Sequence, residues 1–220
     1  MSGDALFEFG IMAPMILMAL TVHEAAHAWT ARLFGDPTAD RMGRVSLNPL
    51  VHLDLMGTLA FVICGFGWAK PVPYNRDNLV AAHPQHARWT ELGVAAAGPL
   101  SNLLLAGICR LVLAAAVDLA LPLGLSPNFL MILVQMMVYG VLVNAGLFVF
   151  NLLPIHPLDG FTVLRNALPL GAALRFQATR AYGGILLLGL ILASRAGHFS
   201  LIAPAQEFLA VHLYRLGGAA

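Results

Sequence analysis

Long apolar runs, interrupted at a few positions by charged or histidine side chains, organise this chain. Residues 6–31 are apolar apart from Glu8, His23, Glu24 and His27; residues 92–117 carry Arg110 as their only charge, and residues 129–153 carry none. Each run exceeds the roughly 20 residues that a helix rising about 1.5 Å per residue needs to cross a hydrocarbon layer. A fourth run, 181–194, lies between Arg180 and Arg195. As a helix it would reach about 21 Å against a layer of about 30 Å, so it spans only with help from its flanks. Residues 55–68 are short and broken by Gly57, Gly65 and Gly67, which reads as a re-entrant or protein-packed segment. Residues 199–214 include Pro204, Glu207 and His212 and suit an interfacial helix or a further span. The pattern predicts an all-α polytopic membrane protein: a three-helix core, a re-entrant segment, and one or two C-terminal membrane or interfacial helices. With no internal repeat and no low-complexity linker, residues 1–220 form one domain, its core at about 6–165 and its C-terminal helices at about 175–216.

Composition agrees. Of 220 residues, 59% are hydrophobic and 10% charged, and the mean hydropathy is +0.79. Soluble domains hold about 45–50% apolar and about 25% charged residues. A soluble surface this apolar would be adhesive, so the partner of the exposed surface is a lipid bilayer. The net charge of +1 supplies no basic stripe to displace counterions, which excludes nucleic acid as a partner. Cys64 and Cys109 stand alone in apolar runs, so neither a disulfide framework nor a thiolate metal site is expected. Asp4 and Glu8 occupy what would be the basic region of a cleavable signal peptide, so none is expected. Arg32, Arg41, Arg44, Lys70, Arg76 and Arg88 lie between the first and second long runs, and Arg165, Arg175 and Arg180 follow the third. Residues 118–128 contain no basic side chain. The positive-inside rule then puts the N-terminus outside and both basic segments in the cytoplasm of a multi-pass cell-membrane protein.

The sharpest chemical signal is His23-Glu24-Ala25-Ala26-His27. Residues four apart share a helix face, so both imidazoles can reach one metal ion. Glu24 points about 100° away around the helix, free of ligation but able to act as general base toward a water. His23 lies about 14 Å along the helix from Arg32, at membrane depth. Three ionisable groups in one turn there are costly and mark function. A catalytic zinc site needs a third protein ligand. The best candidate is Asp159, in Asn151-Leu-Leu-Pro-Ile-His-Pro-Leu-Asp159-Gly160, at the end of the third run and near the same face. Pro154 and Pro157 break the helix there, and irregular backbone at that depth belongs beside a site.

These strings resemble the site-2 protease family of intramembrane zinc metalloproteases, in a compact form. Gly43-Arg44-Val45-Ser46-Leu47-Asn48-Pro49, His52-x-Asp54, Lys70-Pro71-Val72-Pro73 and Gly98-Pro99-Leu100-Ser101-Asn102 match in order, and the likeness covers roughly residues 10–165. The resemblance implies one zinc ion per chain held by His23, His27 and Asp159, with Glu24 activating water and Asn151 polarising the scissile carbonyl. A donor aimed at a developing oxyanion contributes about 3–4 kcal/mol. It also implies transmembrane segments of other proteins as substrates, with the active site toward the cytoplasmic face.

His156 departs from the family pattern, standing where proline is common, and is expected to line the site. Neither the peptide-binding PDZ insertion nor the nucleotide-sensing appendage of some relatives is expected, so selection would fall to the membrane core and to residues 68–90. Within them, proline-rich residues 70–75 could offer an edge to an unwound substrate. Two other functions compete: a metal-carrying scaffold without turnover, which would tend to lose part of the set His23, Glu24, His27, Asn151 and Asp159, and a metal or proton transporter. A transporter would show paired halves or a polar path across both leaflets; here the polar groups cluster toward one face.

Overall fold

The first apolar run folds as one helix, α1 (Gly3–Leu33), continuous through Pro14. The computed structural model describes residues 3–64, 67–197 and 211. The second and third runs become α5 (Ala87–Leu119) and α6 (Pro127–Asn151). The start of α6 follows from its sequence: the Ser126 hydroxyl accepts the Phe129 N–H at 3.3 Å, and Pro127 takes a first-turn position where no N–H is needed. All three helices are long and apolar enough to cross a membrane. The protein is an all-α polytopic membrane protein.

Helix α5 lies at the centre, packed against α1, α6 and a later helix, α7 (Asp159–Ala167). Small residues permit this. Ala19, Ala106 and Ala145 are completely buried, and at Gly140 a Cβ would press on Cys109 Sγ and Met15 Cε. Lipid tails are as apolar as leucine, so helices in a bilayer gain from close backbone approach rather than from burial as such. Met15, Cys109 and Val141 form the apolar centre, while Leu104, Leu111 and Phe129 point outward.

The segment that starts at residue 55 does turn back, as the placement of residues 55–64 and 67–70 shows. Asp54 accepts the Gly57 N–H at 2.8 Å and starts α3 (Leu55–Cys64), so His52-x-Asp54 is in part a cap. About 15 Å of helix cannot span. The chain then returns to its starting level. Leu53 pairs with Ala69 in an isolated antiparallel bridge, Lys70 donates its N–H to His52 O at 2.8 Å, and Gly57 lies so close to Trp68 that no Cβ would fit. Leu55, Met56, Val62 and Ile63 are exposed on the hairpin's outer side.

Between α1 and α5 the chain also forms α2 (Thr38–Arg41), a 3-10 turn at Pro49–Val51, and α4 (Arg76–Ala82). Buried Asp36 ties this layer together, accepting from Thr38 N–H and hydroxyl, Asn75 N–H and the Asn78 side chain. Burial alone would raise its pKa, but these hydrogen bonds hold the carboxyl below the usual range. Buried Glu91 of α5 is met by Arg165 of α7 at 2.6 Å, by Arg76 at 3.2 Å and by the Tyr74 hydroxyl at 3.1 Å. Burial and the Glu91 carboxylate push the Tyr74 phenol up to about 12. Arg88 caps the end of α7 by donating to the carbonyls of Arg165, Asn166 and Leu168, where a cation complements the helix dipole.

The short fourth run continues from a bent neighbour, and the two together have the length of a broken span or of a re-entrant loop. α8 (Leu170–Ala178) and α9 (Arg180–Arg195) meet at a 59° bend. The helix expected at 199–214 lies, apart from residue 211, outside the described residues.

Candidate metal centre

Three ligand atoms converge where α1 meets the start of α7. His23 Nε2 and His27 Nε2 are 3.1 Å apart, and Asp159 Oδ2 lies 3.2 Å from the first and 3.3 Å from the second. Tetrahedral zinc with bonds of about 2.0–2.1 Å would separate its ligand atoms by about 3.3 Å. The histidines come from one face of α1, four residues apart. Asp159 comes from the first turn of α7, delivered by the proline-broken stretch after α6, in which the His156–Pro157 peptide is cis.

Hydrogen bonds fix which nitrogen of each ring faces the centre. His27 Nδ1 is 2.7 Å from Val94 O, which can only accept, so Nδ1 carries the proton. His23 Nδ1 is 2.7 Å from Asn102 Oδ1. The Asn102 amide nitrogen donates to Ala19 O at 3.1 Å and to Asn144 Oδ1 at 2.9 Å, which forces its oxygen toward His23. Asn144 is fixed in turn by donating to Gly140 O at 2.8 Å. Both Nε2 atoms therefore turn lone pairs toward each other and toward a carboxylate. Asp159 Oδ2 is buried with no hydrogen-bond donor. Three lone-pair atoms at this spacing repel unless a cation sits among them. Among the described residues, this is the one histidine, cysteine and carboxylate group with metal-binding spacing.

Gly98 of α5 makes the approach feasible, since a Cβ there would occupy the space of His27 Nε2 and come within 2.6 Å of His23 Cε1. Glu24 stands beside the histidines, and its Oε2 accepts the Val72 N–H at 2.8 Å. His23, Glu24, His27, Asn151 and Asp159 all line one cavity of about 580 Å³. Gly184, Leu187, Leu188 and Ile191 of α9 form part of its wall. Asn151 reaches the cavity, yet its amide nitrogen donates to Leu147 O at 3.0 Å, one turn back on α6. One N–H of that amide is thus engaged by its own helix.

Two expectations come out differently. His156 does not line the cavity: its ring packs edge-on to Phe161 at 5.6 Å, its backbone abuts Gly183 of α9, and burial together with Arg180 lowers its pKa. The edge expected at residues 70–75 has few free donors, because Pro71 and Pro73 have no N–H and those of Lys70, Val72 and Asn75 go to His52, Glu24 and Asp36. Asn102 and Asn144 are polar positions inside apolar runs, a pattern that fits either a site-facing or a helix-joining role, and here Asn102 does both. Val94 offers no sequence signal, since its carbonyl is the acting group.

Comparison with known proteins bears on the same chemistry. The chain is 38% identical over 175 residues to "Putative zinc metalloprotease YwhC" of Bacillus subtilis (strain 168), covering 79% of this chain and 76% of that one. It is 28% identical over 205 residues to "Putative zinc metalloprotease Rip2" of Mycolicibacterium smegmatis, covering 90% of this chain and 73% of that one. No family model matches, and no solved structure matches.

Proposed function

This chain belongs to the site-2 protease family, and we propose from that premise that it is a zinc endopeptidase cutting the transmembrane segments of other membrane proteins. The observation that carries the reading is the meeting of His23, His27 and Asp159, beside a non-ligating glutamate, in a cavity walled by apolar helices. Zinc bound by these three would supply Lewis acidity, polarising a carbonyl and acidifying water near neutral pH. Asn102 and the Val94 carbonyl hold the two imidazoles in the tautomer that leaves Nε2 free for such an ion. Glu24, one position along the helix, takes the proton from the attacking water and returns it to the leaving amine. Asn151 has one amide N–H for its helix and a second for the scissile carbonyl, where charge builds in the transition state. A helical carbonyl is already hydrogen-bonded and covered, so the substrate must unwind locally before it can be attacked, and helix-breaking residues in it should help.

The excess of Lys and Arg in the segment 32–88 and after α6 supports an N-terminus outside the cell membrane and a site toward the cytoplasmic face. The decisive test is Glu24→Gln. This variant should keep one zinc per chain and lose cleavage of membrane-segment reporters by roughly 1,000-fold or more. Full activity in a purified sample would overturn the mechanism.

A further inference from the structure

The carboxylate assigned as general base does not hang free. Glu24 Oε2 accepts the backbone N–H of Val72 at 2.8 Å, from a segment 48 positions away in the chain. That segment is fastened at both ends. At its start Lys70 gives its N–H to His52 O at 2.8 Å, and its carbonyl accepts from Arg44 Nη2 at 2.5 Å. At its end Asn75 gives its N–H to Asp36 Oδ2 at 2.6 Å, and the Tyr74 hydroxyl donates to Glu91. Arg44, His52, Asp36 and Glu91 are all buried. Pro71 and Pro73 flank Val72 and stiffen the backbone on either side.

Arg44 is the least expected of these anchors. It is a buried cation whose Nε and Nη1 have no hydrogen-bond partner and whose Nη2 bridges Lys70 O and, at 3.5 Å, His52 Nδ1. His52 Nε2 lies 2.8 Å from Ser46 O, which can only accept, so the Nδ1 facing Arg44 is the unprotonated nitrogen. The strings around Arg44 and His52 therefore converge on one backbone unit, two residues before the amide that holds Glu24.

We propose that the Val72 amide positions the general base, and that Arg44 is the positioning residue that keeps this amide in place. With Oε2 held by a rigid donor, Glu24 keeps one rotamer and turns Oε1 toward the attacking water. Without it, a flexible side chain must find that geometry at each turnover. This inference rests on the protease reading above and concerns how its base is aimed.

The test uses the full chain in detergent with a membrane-segment reporter. Val72 is replaced by its α-hydroxy analogue, which keeps the side chain, turns the amide into an ester that has no N–H, and weakens the Pro71 carbonyl as an acceptor. The ester variant should retain one zinc per chain and an unchanged KM while kcat falls about 10–100-fold. Arg44→Gln should lower kcat in the same way, with partial rescue by Arg44→Lys. Independently of turnover, hydrogen exchange at the Val72 amide should be slow in the wild type and fast in Glu24→Ala and Arg44→Gln. An ester variant with wild-type kcat beside an active wild type, or Val72 exchange equally fast in wild type and Glu24→Ala, overturns the inference alone. A wild type that binds zinc and cleaves no reporter overturns the protease reading, and the inference with it.

Discussion

The half of the bundle around Met15 and the half around the metal ligands use the same three helices but differ in what their side chains require of one another. Around Met15, Cys109 and Val141 the contacts are apolar, and flexible Met15, Met18, Met136 and Met137 fill the gaps. About two turns further along α1, His23, His27, Asn102 and Asn144 are buried, and each is held by a named hydrogen bond. The apolar half can repack when a group changes, because dispersion contacts have no direction. The polar half cannot, because each donor is aimed at one acceptor and a displaced partner leaves a polar atom unsatisfied in a low-dielectric interior. Stability is a property of the first region and geometry of the second.

Matched glycine substitutions break this comparison most sharply. Gly98→Ala puts a Cβ into the space of His27 Nε2 and should abolish zinc retention and cleavage, read by metal analysis after dialysis beside a reporter assay. A smaller loss is expected from Asn102→Ala, which frees the His23 ring to turn. Zinc affinity should drop about 10–100-fold, measured by competition with a chelator. Gly140→Ala meets Cys109 Sγ and the flexible end of Met15. It should cost about 1–3 kcal/mol by thermal or denaturant unfolding, with zinc stoichiometry and activity kept. If Gly140→Ala also emptied the metal site, the two halves would not be independent.

The smallest effect lies outside the bundle, at Asp36. Its folded pKa is below its unfolded value, so its contribution is present above about pH 4 and is lost as pH falls through the lower folded value. Unfolding measured between about pH 6 and pH 2 should show a steeper acid loss in the wild type than in Asp36→Ala. Equal slopes would remove Asp36 from the account of this layer.

Much of the architecture was readable before any coordinates. Apolar runs longer than a bilayer is thick leave few alternatives to spanning helices, because no water is available to satisfy an irregular backbone. The glycines at 57, 65 and 67 marked the segment that turns back. The pair His23 and His27 was legible because helical periodicity alone puts them on one face, and Asp159 because a proline-broken helix end must lie beside something polar.

What the linear chain could not specify were relations between distant backbone atoms. The carbonyl of Val94 that orients His27 and the amide N–H of Val72 that holds Glu24 are backbone groups, the first present in every residue and the second in every residue but proline, so no side-chain pattern announces them. His156 looked like site lining from its place in the motif, yet the local backbone turned its ring onto Phe161. α9 by itself is too short for a span, and only the bend of α8 against it gives the pair the length of a broken span or a re-entrant loop. Sequence determined the solvent, the helices and the ligand types, because burial and periodicity are local demands. Only the tertiary structure decided which way each imidazole and the base point, because direction depends on partners from 48 to 79 positions away.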